Sequence, residues 1–171
     1  MNWFMRLAIV PFTAIAAFGV LLTCNAAQQT EKQDAQVLFI CEHGTVKSLM
    51  AASYFNRLAS ERGLPYRAVA RGTAPGSMAV PPVIIQGLRN DGDDVSSFHP
   101  SKLSTADIAQ SARVIAIGVE LPTDAQSLVG ANFEKWNDVP AATTDYSAAS
   151  ISLKAHVAEL VEELAKGQRG H

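Results

Sequence analysis

Eight consecutive residues hold most of the reactive chemistry in this sequence: Cys41-Glu42-His43-Gly44-Thr45-Val46-Lys47-Ser48. They stand between a wholly apolar run, Val37-Leu38-Phe39-Ile40, and a segment of helical spacing. N–H groups at a helix start have no partner within the helix and attract anions. Successive N–H groups in a tight curl add an anion-binding nest. Gly44 can supply the positive φ that such a curl needs. Cys41 would feel both the helix start and Lys47, and each favours thiolate, the nucleophilic form, over thiol. Residues 42–46 would bring backbone amides to the anion, with the Thr45 hydroxyl as an extra donor. Ser48 stands at the helix start, where plain helix capping is one reading. His43 is a candidate cation or proton carrier beside Glu42; the competing reading puts both at the solvent rim.

Two other readings of the loop compete. A nucleotide-binding P-loop also opens a helix with Lys-Ser, but it needs glycines where Cys41 and Val46 stand. The second is an inert cysteine buried in an ordinary strand–helix turn. The chain's other cysteine, Cys24, falls in its first 27 residues. These have Arg6, a nearly unbroken apolar run over 7–22 and a small-residue exit at Cys24-Asn25-Ala26-Ala27, the pattern of a cleaved signal peptide. The apolar run is short for a membrane span and contains Pro11. Leu21-Leu22-Thr23-Cys24 resembles a lipobox, which makes a lipoprotein the alternative, and a membrane anchor is the other. The expectation is an exported, periplasmic protein that meets the membrane only through this segment. Cleavage would leave Cys41 as a lone thiol, unusual where oxidising conditions favour pairing.

The elements that position the loop follow from periodicity. Residues 37–40 are expected to form a strand buried on both faces. A helix is expected from Ser48 to Arg62, with Met50, Ala51, Tyr54, Phe55 and Leu58 on one face and Gly63 as its stop. Residues 66–70 form a second strand, and a Pro-opened helix runs from Pro81 or Pro82 to Asn90. Residues 102–112 are weakly helical, 113–118 a third strand, and 133–136 a short fourth. Leu153, Val157, Leu160, Val161 and Leu164 make one stripe of a terminal helix. Strands that alternate with helices imply an α/β, doubly wound three-layer sandwich with a four-stranded parallel sheet. Ligands in such sheets bind at the carboxyl ends of the strands. The expected layout is a signal peptide over 1–27, a polar leader over 28–35, one domain over 36–166 and a tail over 167–171.

Strand, Cys, five residues, a basic residue, Ser, then a helix with Met-Ala resembles the low-molecular-weight protein tyrosine phosphatases, whose fold the thioredoxin-coupled arsenate reductases share. Ala70-Arg71-Gly72-Thr73-Ala74 resembles the family's strand exit, Lys102-Leu103 its Arg-x-Leu region, and the strand over 114–117 and the stretch over 136–140 match in order. The resemblance spans most of the chain after residue 27. It implies Cys41 as nucleophile, Lys47 in the place of an arginine that grips two phosphoryl oxygens, and Ser48 as a donor to the thiolate. Lysine offers a point charge without the bidentate fork. The family's Asp-Pro general acid is missing, and the run Asp138-Val139-Pro140-Ala141 puts an alanine at that place. Asp138 is the expected substitute; Asp145 is the second candidate, with helix capping as its competing role.

The resemblance implies a cysteine-dependent phosphatase that acts on phosphate monoesters, phosphotyrosine among them, through a phosphocysteine. A non-catalytic oxyanion-binding or thiol redox-sensing protein is the alternative. Arsenate reduction is the third reading and would need an outside thiol. The expected partners are phosphate or another tetrahedral oxyanion and a phosphorylated small molecule or protein. No basic run points to nucleic acid: 14 basic residues face 16 acidic ones. Four scattered histidines give no metal-ligand spacing, so neither metal nor cofactor is expected. His99 is read as a surface residue and His156 as structural.

Overall fold

β1 (Ala35–Cys41) alternates its side chains between two helical layers. Val37 and Phe39 enter one core, Leu38 and Ile40 the other. All four are fully buried, which accounts for the unbroken apolar run. This computed structural model describes residues 34–169 apart from Met78. The expected signal peptide, the lipobox-like residues and most of the polar leader lie outside the described residues. β1 begins at Ala35, one residue inside the expected leader. Among the described residues no helix is long and apolar enough to cross a membrane.

α1 (Lys47–Glu61) follows the loop and packs on β2 (Tyr66–Gly72) and β1. Gly63, at φ +61°, ends the turn beyond α1. α2 (Pro82–Asn90) starts on a proline, as expected. α3 (Thr105–Ala109) is shorter than the weak helix read over 102–112. Ser104 and Asp107 close a capping box at its start, while Lys102 pairs with Gly72 and the chain is already extended at Ser111. β3 (Ser111–Ile117), the unforeseen α4 (Thr123–Gln126), β4 (Phe133–Trp136) and α5 (Tyr146–Arg169) complete the chain.

The four strands are all parallel, in the order β2-β1-β3-β4. The connections diverge between β1 and β3, and a crevice opens at the carboxyl end of that switch point. Residues of α1, α2 and α5 cover one face of the sheet; Ile108 of α3 and Ala125 of α4 cover the other.

A polar cluster ties α1, the end of α2 and α5 together. Tyr54 and Tyr146 both donate to Asp91 Oδ2, at 2.8 and 2.7 Å, and Lys154 donates to Oδ1 at 2.8 Å. Burial pushes the Tyr54 hydroxyl up to about 12, so it stays a donor. Burial also pushes the Asp91 carboxyl up, but hydrogen bonds from Lys154, Tyr146 and Tyr54 outweigh it and hold the group below its ordinary value. A carboxyl depressed in the folded chain stabilises the fold above its unfolded value, about 3.9, and loses that effect as pH falls through the folded value. Asp91→Asn should therefore cost about 2 kcal/mol at neutral pH. In thermal melts the gap to the unsubstituted chain should close as pH drops below about 4. A gap that stayed constant down to about pH 2 would refute the assignment.

Candidate active site

β1 delivers Cys41 to the carboxyl edge of the sheet, and the chain then curls through residues 42–46 into α1. Gly44 takes φ +75° at the apex of the curl. There its N–H turns back and donates to Cys41 Sγ at 3.3 Å. Ser48, one residue into α1, sets its hydroxyl 3.0 Å from the same sulfur. With sulfur as thiolate, Ser48 donates, so two donors converge on the negative charge. Ser48 is not the cap of α1, because Val46 holds that position without a side-chain hydrogen bond. The first-turn N–H groups of the helix have no partner within it and are free to meet an anion.

The curl is braced from the side by the exit of β2. Thr73 N–H donates to Cys41 O at 3.0 Å, and Ala74 N–H to Glu42 O at 2.8 Å. Gly72 lies flat against the loop: a Cβ there would meet His43 C at 2.7 Å. Gly72 is held in turn by Ser101 O and Leu103 N–H. The stretches 70–74 and 102–103 therefore converge behind the loop.

A cavity of about 350 Å³ opens above Cys41 at the β1/β3 switch point. Glu42, His43 and Pro81 line it together with Ile117 and Gly118 from the exit of β3 and Ala141, Ala142 and Thr143 from the connection after β4. A larger cavity of about 610 Å³ lies at the amino ends of β1 and β2, around Asp34, Arg67 and Gln110, and has no nucleophile in its lining.

Lys47 lines the cavity, but its ammonium group donates to Val139 O at 2.7 Å. Gly118 leaves it room, since a Cβ there would stand 3.2 Å from Nζ. The loop cation is thus tied to the connection that follows β4. Asp138, expected as the leaving-group acid, is not in the cavity lining. Its carboxylate meets His156 Nε2 at 2.9 Å from both oxygens, and this hydrogen bond holds the carboxyl below its ordinary value. The His156 ring stacks on Trp136, with centroids 4.7 Å apart. Asp145 caps α5 by accepting from Ala148 N–H, the competing role considered for it. The cavity wall where the resemblance places an acid is therefore alanine.

Thr45 is fully buried, does not line the cavity, and its hydroxyl has no hydrogen-bond partner among the described residues. An unpaired buried hydroxyl costs about 1–3 kcal/mol. Thr45→Val should raise stability to urea by about 1 kcal/mol. A loss of stability would show that the hydroxyl has a partner, such as a bound water.

Sequence reasoning missed two contacts of this site: Lys47 with the Val139 carbonyl, and His156 with Asp138. The spacing of His156 along α5 offered one weak signal, since it flanks the apolar stripe.

A family model described as "Low molecular weight phosphotyrosine protein phosphatase" matches residues 36–159. A search of curated protein sequences returned no match. Several solved structures share the fold. YfkJ from Bacillus subtilis is 20% identical with a TM-score of 0.66, over 78% of this chain and 96% of that one. The YwlE arginine phosphatase from Geobacillus stearothermophilus is 20% identical with a TM-score of 0.64, over 80% and 97%. A thioredoxin-dependent arsenate reductase from Corynebacterium glutamicum is 20% identical with a TM-score of 0.65, over 82% and 67%. They bear out the expected four-stranded parallel α/β architecture.

Proposed function

The chain belongs to the low molecular weight phosphotyrosine protein phosphatase family, and on that premise we propose that it is a thiol phosphatase acting on phosphate monoesters. The supporting observation is the pair of donors on Cys41 Sγ, from Gly44 N–H and Ser48, at the floor of an open cavity. The sulfur attacks phosphorus from the floor, and the phosphoryl oxygens face the loop amides and Lys47. The P–O bond to the departing alcohol breaks as the S–P bond forms, and water then cleaves the phosphocysteine. Ile117, Val46 and Pro81 give the cavity an apolar wall suited to an aromatic alcohol such as the tyrosine side chain. The apolar segment over 7–22 supports a site of action outside the cytoplasm.

Turnover should be slow. Lys47 is already bonded to Val139 O, and a point charge replaces a planar fork. The same observation favours the second reading, an oxyanion-binding or redox-sensing protein without turnover. Arsenate reduction would need an outside thiol, since Cys41 is the lone cysteine among the described residues.

The test uses the reduced full chain with phenyl phosphate, quenched in acid during turnover. Release of phenol, with one phosphoryl group on the peptide containing Cys41, is the expected result. Neither phenol nor phosphopeptide, in a chain that still binds phosphate, would leave the oxyanion-binding reading in its place.

A further inference from the structure

We propose that His43 donates the proton to the leaving group and later takes one from water, in the place of the absent aspartic acid; this rests on the phosphatase reading above. In-line attack from Cys41 at the floor sends the departing oxygen toward the cavity mouth. Its proton must therefore come from a group at the rim. Beyond Cys41, the lining residues with an exchangeable proton are Glu42, His43, Lys47 and Thr143. Lys47 is bonded to Val139 O and is the cation of the loop. A threonine hydroxyl is too weak an acid, and a carboxyl ordinarily has no proton to give near neutral pH. Asp138 is taken by His156, and Asp145 caps α5. Imidazole is the side chain that ordinarily carries a donatable proton between about pH 5 and 8.

The geometry of His43 suits the role. Its Nδ1 stands 3.0 Å from Ala74 O. A carbonyl only accepts, so Nδ1 carries a hydrogen, and Nε2 is the nitrogen that exchanges its proton. Ala74 N–H donates to Glu42 O, so the strand exit that orients the ring also braces the loop. Glu42 Oε2 lies 3.9 Å from Nε2. When His43 is charged the two residues form a neutral pair, and the carboxylate does not face the phosphate dianion alone. The ring is about a third exposed, as a group at the mouth must be.

The Cys41 sulfur lone pair forms S–P, the ester P–O bond breaks, and its electron pair takes the proton from Nε2. Water then forms a new O–P bond, its proton passes to Nε2, and the S–P electrons return to sulfur. Ester and water become alcohol and phosphate, and His43 ends protonated as it began.

The test compares the reduced full chain with His43→Gln on two esters, p-nitrophenyl phosphate and phenyl phosphate. Nitrophenolate leaves readily without a proton; phenolate does not. His43→Gln should lose about 10²–10⁴-fold in kcat on the phenyl ester and about tenfold or less on the nitrophenyl ester. Activity on the nitrophenyl ester shows that the variant is folded. Equal losses on both esters, no loss on either, or the same leaving-group dependence in Asp138→Asn instead would overturn the role of His43 and leave the phosphatase reading intact. If the unsubstituted chain hydrolyses neither ester, the phosphatase reading falls and takes this inference with it.

Discussion

Cys41→Ser should abolish hydrolysis of phenyl phosphate, by about 10⁴-fold or more, while phosphate still binds. The sulfur accepts from Gly44 N–H and stands 3.0 Å from the Ser48 hydroxyl, which donates to it when the sulfur is a thiolate. Two such donors would stabilise a thiolate, the strong nucleophile, whereas a hydroxyl is a weak nucleophile without a base beside it. No base is placed to strip a proton from a hydroxyl at position 41, because its hydrogen-bonding neighbours there are an amide and an alcohol. On the proposed reading the anion would meet loop amides and Lys47, which the substitution leaves alone. A hydroxyl also fits the same pocket with the same partners, so the melt should move by less than about 1 kcal/mol. Hydrolysis followed beside phosphate titration by calorimetry checks both halves. Equal turnover in the two proteins would trace the activity to a contaminant or to a different group.

The second large effect lies outside the cavity. Gly72→Ala should lower stability by about 3 kcal/mol and turnover by about 10²-fold. An added methyl would stand 2.7 Å from His43 C, 2.9 Å from His43 O and 3.0 Å from Glu42 O. These are backbone atoms at the bend of the anion loop, so no side chain can rotate away. The loop must move, and with it the bonds from Thr73 to Cys41 O and from Ala74 to Glu42 O. Gly44 cannot retreat, since its own α-carbon faces the backbone of Arg71 and Gly72. Urea melts and kcat measured together test the claim. An alanine variant with unchanged kcat would show that loop placement tolerates the shift.

The sequence was most legible where one force dominates. Residues 37–40 are apolar on both faces because the strand is sandwiched, so burial alone gives it away. Pro82 opens α2 and Gly63 ends the turn after α1 for local backbone reasons, which the residue type declares. The closeness of Cys41 and Ser48 was legible because a strand end and a helix start fix their separation. Residues 102–112 were misread because their weak periodicity carried little weight against a capping box at Ser104 and the pairing of Lys102 with Gly72. Lys47 and Val139 are 92 positions apart, and a backbone carbonyl has no residue type, so nothing in the sequence marks that contact. Asp138 illustrates the same gap. The family resemblance put a carboxylate near the cavity, while a histidine on a helix not yet oriented holds it elsewhere.

The central position of β1 also sets a timetable. The first strand to be made pairs on one side with β2 but on the other with residues that begin at Ser111. The far wall of the cavity, residues 141–143, is synthesised later still. A growing chain therefore carries Cys41 through most of its synthesis without a complete sheet beneath it or a wall opposite it. Parallel pairings between distant segments are slow to close, because the loop entropy is spent before the contacts form. The surroundings of Cys41 are thus complete only near the end of assembly, and a nascent or truncated chain would lack them.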